Sequence, residues 1–125
     1  MTNTKTLPPC KHELALFDLL CAGLTGISKL TELPSYGETS LPTTISELYL
    51  DRGFTIDRVR KPHITRHKTN TSFTWYWLAN TREAEKAVAL VNAFRKARNA
   101  ELISDDVAQK LIATFPEQRR TGEAA

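Results

Sequence analysis

Between Leu41 and Ala79 the chain changes its hydrophobic period twice, and few folds accommodate that order of changes. Ile45 and Leu48 lie three apart, with Leu41 one turn earlier, which gives one apolar helical face. Gly53 follows the last periodic residue, where a left-handed exit from a helix is cheap only for glycine. Phe54 and Ile56 then alternate with Thr55 and Asp57, a strand period, and Phe73 to Leu78 is rich in strand formers. Between the two apolar runs stand Arg58, Arg60, Lys61, Arg66 and Lys68 with His63 and His67, and no acid lies between Arg58 and Phe73. Pro62 and the Thr69–Ser72 run predict a loop there. The expectation is a helix, a glycine stop, a strand, a long basic loop and an aromatic strand.

Upstream, Leu14, Phe17, Leu20, Cys21 and Leu24 repeat at helical spacing and predict a first helix from Lys11 to Ala22, ended by Gly23. Thr25 is a cap for a short second helix through Ile27, Leu30 and Leu33, closed by Pro34. The segment from Pro34 to Ser40 reads as a turn, after which Ser40 or Thr43 caps the third helix, with Pro42 tolerated in its first turn. Downstream, Asn80 and Glu83 resemble a capping box before a stripe of Ala84, Ala87, Val88, Val91 and Phe94. Ser104 with Asp105 and Asp106 opens a last helix lined by Val107, Leu111, Ile112 and Phe115, stopped at Pro116. The predicted fold class is mainly α with a β-hairpin (α+β). It comprises a flexible arm (1–10), a winged helix-turn-helix domain (11–79), a C-terminal helical extension (80–116) and a disordered tail (117–125).

A chain of 125 residues with net charge +3 makes one domain and permits a nucleic-acid partner without demanding one. No apolar run approaches the roughly 18 residues of a membrane span, and the polar start is unlike a signal peptide, so a cytoplasmic location is expected. Cys10, His12 and Cys21 lack a fourth ligand and fit no zinc spacing, so no metal or other cofactor is expected. Cys21 reads as a small core residue. His63 and His67 share a proline-containing loop, and no phosphate loop or hydrolase motif occurs, so no enzyme is expected.

The string from Thr44 to Ile56, followed by FTWYWL, resembles a family of small winged-helix proteins of phages and prophages. Their approximate pattern, R-I-S-E-L-R-x-x-G-x-x-I, a wing and Y-x-L, is matched by Ile45, Ser46, Glu47, Leu48, Gly53, Ile56, Tyr76 and Leu78. The resemblance covers roughly Leu14 to Leu78 and implies DNA binding, often in transcriptional control. That family's recognition helix usually carries arginines, whereas here Arg52 is the one basic residue of the helix.

The function expected is that of a sequence-specific double-stranded DNA-binding protein, a small transcriptional regulator. Thr43, Thr44 and Glu47 would face bases from the third helix, beside Arg52. Arg58, Arg60, Lys61, His63, Arg66, His67 and Lys68 would hold the backbone or an adjacent minor groove. A homodimer is expected through Trp75, Trp77, Val88, Val91 and Phe94, because one such module reads few base pairs. Phe73, Trp75 and Trp77 share one strand face, which the C-terminal helices, a second subunit or stacked single-stranded bases could cover. The competing expectation is a protein-interaction module that uses Tyr49 and Leu50 to bind and inhibit or recruit a host protein.

Overall fold

A computed structural model describes residues 5–118. Among these the chain is α+β, with five helices and an antiparallel hairpin: α1 Lys11–Ala22, α2 Lys29–Tyr36, α3 Leu41–Arg52, β1 Ile56–Ile64, β2 Asn70–Leu78, α4 Thr81–Ala97 and α5 Asp105–Ile112. A single 3-10 turn, Gly23–Thr25, follows α1. No helix among the described residues is long and apolar enough to cross a membrane.

Local chemistry accounts for the boundaries. Ser28, rather than Thr25, caps α2: its hydroxyl accepts from the Leu30 N–H while Thr31 Oγ1 accepts from the Ser28 N–H. That helix runs past Pro34 to a left-handed exit at Gly37, later than expected. α3 ends as expected at Gly53, with φ of 74°. Asn80 Oδ1 accepts from the Glu83 N–H at 3.0 Å, and Ser104 Oγ from the Val107 N–H, which opens α4 and α5.

The predicted long loop is mostly strand. Arg58, Arg60, Lys61 and His63 pair in register with Tyr76, Thr74, Phe73 and Thr71, so the turn shrinks to the residues around Arg66–Lys68. Pro62 is accommodated because a two-stranded ribbon leaves every second N–H of each strand facing solvent. Lys68 takes φ of 60° at the tip, and its N–H donates to the Thr65 carbonyl at 2.8 Å.

Ala15, Leu16, Leu19 and Leu20 of α1 form the core with Ile45 and Leu48 of α3, the hairpin base at Ile56, Tyr76 and Leu78, and Ala84, Ala87 and Val91 of α4. Small alanines let α4 close on α1. The buried ridge of α1 thus falls one position away from the Leu14–Phe17 spacing, and Cys21, expected inside, is exposed. Glu13, buried in α1, receives two hydrogen bonds from Arg98, at 2.8 and 2.6 Å, which fasten the ends of α1 and α4.

One short connection ties the N-terminal half to the hairpin. Ile27 and Tyr76 exchange both backbone hydrogen bonds at 2.8 Å, an isolated antiparallel bridge between α1 and α2. Gly26, at φ of 82°, makes this possible, since a Cβ there would lie 2.5 Å from the Tyr76 carbonyl oxygen. Lys5, Thr6 and Leu7, expected as part of a flexible arm, are hydrogen-bonded to the Arg98–Asn99 corner. Residues 1–4 and most of the expected tail, 119–125, lie outside the described residues.

Candidate nucleic-acid interface

The hairpin alternates its side chains between two faces. Arg58 and Arg60 share one face with Thr74 and Ser72; Lys61 and His63 share the other with Phe73 and Trp75. Beyond the buried pair Ile56 and Asp57, most of β1 is exposed. Among the described residues Arg58, Arg60, Lys61, Arg66 and Lys68 make no ion pair, because the carboxylates that do pair are Glu13, Glu47 and Glu83, on the helices. Three of these cations instead rest on neutral groups. Arg60 Nε donates to Ser72 Oγ, the Arg58 guanidinium lies 5.4 Å from the Tyr76 ring, and Lys61 Nζ 5.5 Å from the Trp75 ring. His63 meets Phe73 edge to face at 5.4 Å.

The face bearing Arg60 opens on a cleft of about 310 Å³, bounded by Lys29 of α2, Pro42 of α3 and Thr71–Thr74 and Tyr76 of β2. Lys29 is therefore a sixth cation in this neighbourhood. The sequence hid it, because a second helix starting at Thr25 would put Lys29 mid-helix. The first turn of α3 already holds a carboxylate. Glu38 accepts from the Ser40 N–H at 2.9 Å and from the Thr44 hydroxyl at 2.6 Å. Burial pushes the Glu38 carboxyl up, but the hydrogen bonds from Thr44, Ser40 and Tyr36 prevail and hold it below the usual carboxylate range.

The third helix departs from expectation. Thr43 is exposed, but Thr44 is fully buried and its hydroxyl belongs to Glu38, so it cannot reach a base. The cause is the helical period: Thr44 precedes Ile45 on the same inward face as Leu41 and Leu48. Glu47 is half-buried and paired with Lys11 at 3.0 Å and His12 at 2.9 Å. These bonds, His12 first, keep its carboxyl below the ordinary range. Arg52 Nε donates to His12 Nδ1 at 2.8 Å, which places the imidazole proton on Nε2, where it donates to Glu47. The Arg52 guanidinium also covers the Phe94 ring at 4.9 Å. Glu47 and Arg52 thus join α3 to its neighbours.

Two of the five residues of the expected dimer seam are buried within the chain. Val91 is 0% exposed in the core and Trp77 is 3% exposed, while Trp75, Val88 and Phe94 remain half-buried. His67, with Arg66 and Lys68, stands at the exposed hairpin tip. No group of three potential metal ligands occurs among the described residues. No family model, curated protein or solved structure matches the chain.

Proposed function

We propose that this chain is a sequence-specific double-stranded DNA-binding protein of winged helix-turn-helix architecture, a small transcriptional regulator of the phage or mobile-element kind. The observation that carries this reading is a hairpin with no acid from Arg58 round to Phe73, whose five cations make no ion pair among the described residues, opening on a cleft beside Lys29 and the start of α3. Unneutralised arginines and lysines arrayed along an exposed ribbon match a phosphate backbone, and each phosphate neutralised releases counterions. The Ile27–Tyr76 bridge supports the architecture, because it puts a third, minimal strand between α1 and α2 beside the hairpin.

Fluorescence anisotropy with random duplex DNA at graded salt tests the reading. The five cations of the hairpin, together with Lys29, give an expected slope of log affinity on log salt of about −5. Arg60→Glu with Lys61→Glu should flatten it by about 2 and abolish binding at physiological salt. Unchanged binding by that variant would remove the hairpin as the anchor. A homodimer through the half-exposed Trp75, Val88 and Phe94 accompanies this reading, and light scattering near the monomer mass of 14.1 kDa would exclude it.

A second reading rests on Tyr49 and Leu50, which are 60% and 74% exposed on adjacent positions of α3. An apolar pair on an uncharged ridge suits a host protein partner that the chain inhibits or recruits. Leu50→Asp should then break a co-purifying complex and leave duplex affinity unchanged; loss of duplex binding instead would put Leu50 against DNA.

A further inference from the structure

Resting on the duplex-binding reading, we propose that the hairpin, and not α3, enters the major groove and reads the bases, with α3 lying at the groove's rim. The outward ridge of α3 carries Thr43, Ser46 and Leu50, with no cation, and is flanked by the acids Glu47 and Asp51. Its one arginine, Arg52, is turned onto His12 and Phe94. Pressing such a face between two rows of phosphates brings Asp51 toward anions, while Glu47 is already engaged by Lys11 and His12 and no outward cation of the helix is left to meet a phosphate.

The hairpin has the opposite properties. From Arg58 to Ile64 it projects roughly 20 Å at about 3.3 Å per residue, and its side chains there are mostly exposed. A major groove about 12 Å wide admits a two-stranded ribbon in undeformed duplex, whereas a minor groove of about 6 Å must first be widened to take one, at a cost in deformation energy. The two faces of the ribbon differ in what they can read. Lys61 and His63 lie against aromatic rings on one face. The other face presents Arg60, Asn70, Ser72 and Thr74, all able to hydrogen-bond, with Arg58 beside them over the Tyr76 ring. Arg60 is a donor pair for guanine and Asn70 a donor–acceptor pair for adenine. Arg60 is also pre-positioned by the Ser72 hydroxyl, so less side-chain freedom is lost when it contacts a base. The same face continues into the cleft at Lys29, where a phosphate at the groove's edge would lie.

The test begins with a duplex selected from a random pool by the full chain, measured against random duplex at fixed salt. Arg60→Ala with Asn70→Ala, both exposed, is compared with Thr43→Ala plus Ser46→Ala, each variant first checked for an unchanged thermal midpoint. The hairpin pair should lose about 10- to 100-fold of its preference for the selected duplex. The α3 pair should keep its preference within about threefold. The reverse pattern would overturn the proposal and leave duplex binding intact. Displacement of the protein by the minor-groove ligand netropsin would overturn the groove assignment, and retention supports it. Wild-type protein that binds no duplex at low salt would remove both the proposal and the reading beneath it.

Discussion

Glu32 offers the sharpest physical test of the packing, because it is a carboxyl group enclosed without a charge partner. It is 1% exposed, its Oε2 accepts from Thr31 Oγ1 at 2.8 Å, and its Oε1 has no hydrogen-bond partner among the described residues. Burial first, then the nearby carboxylates Asp18 and Glu38, push its pKa from 4.5 up to about 8. The folded chain therefore keeps a proton that the unfolded chain releases near pH 4.5. The associated stability is fully present below that pH and declines as pH rises towards about 8. At about 1.4 kcal/mol per pH unit the displacement bounds the loss near 5 kcal/mol, and local relaxation with water admitted to the ionised carboxylate reduces the expectation to roughly 2–3 kcal/mol. Glu32→Gln keeps the shape and abolishes the titration. Urea unfolding followed by tryptophan fluorescence at pH 5.5, 7.0 and 8.5 should show wild-type stability falling while the variant stays nearly level. The variant should be the more stable protein at pH 8.5. A wild-type-minus-variant difference that does not change with pH would refute the buried neutral carboxyl.

Other substitutions probe separate parts of the fold. Gly26→Ala should cost at least about 2 kcal/mol, from the left-handed backbone and the clash with the Tyr76 carbonyl, and a melting temperature within a degree of wild type would contradict the bridge geometry. Val91→Ala should cost about 2 kcal/mol through a core cavity and leave the mass in solution unchanged; a change of oligomeric state instead would return Val91 to an interface. Burial and the Asp18 carboxylate raise the Cys21 thiol pKa, so iodoacetamide should label exposed Cys21 faster in Asp18→Asn than in wild type, and equal rates would remove Asp18 from its surroundings.

Much of the fold was legible in the chain because its stops are chemical. Gly53, Asn80 and Ser104 each supply a terminus that few other residues would, and all three boundaries stand where the residues predict. What escaped was set by neighbours distant in sequence. The Arg58–His63 segment looks like a loop until β2 pairs with it, since Pro62 and the charges lower its strand propensity without forbidding the register. Thr44 reads as outward by polarity, and only Glu38, six residues earlier, makes its burial affordable. Lys29 joined the candidate interface through the fold of the α1–α2 connection, which depends on Gly26 and on a backbone exchange with Tyr76. The basic segment itself was visible as a run of cations, but its division into two faces required the register.

The Ile27–Tyr76 exchange has a consequence for how the ribbon holds its shape over time. It clasps the base of the hairpin to residues almost fifty positions earlier, while the outer half, from Lys61 round to Ser72, meets among the described residues the cleft wall at Lys29 and Pro42. Slow amide exchange at Ile27 and Tyr76 and fast exchange at Thr65 to Thr69 should therefore meet within a single hairpin. A peptide cut to residues 41–79 would keep every cation of the ribbon and lose the clasp, so its charges would survive transplantation and their spacing would not.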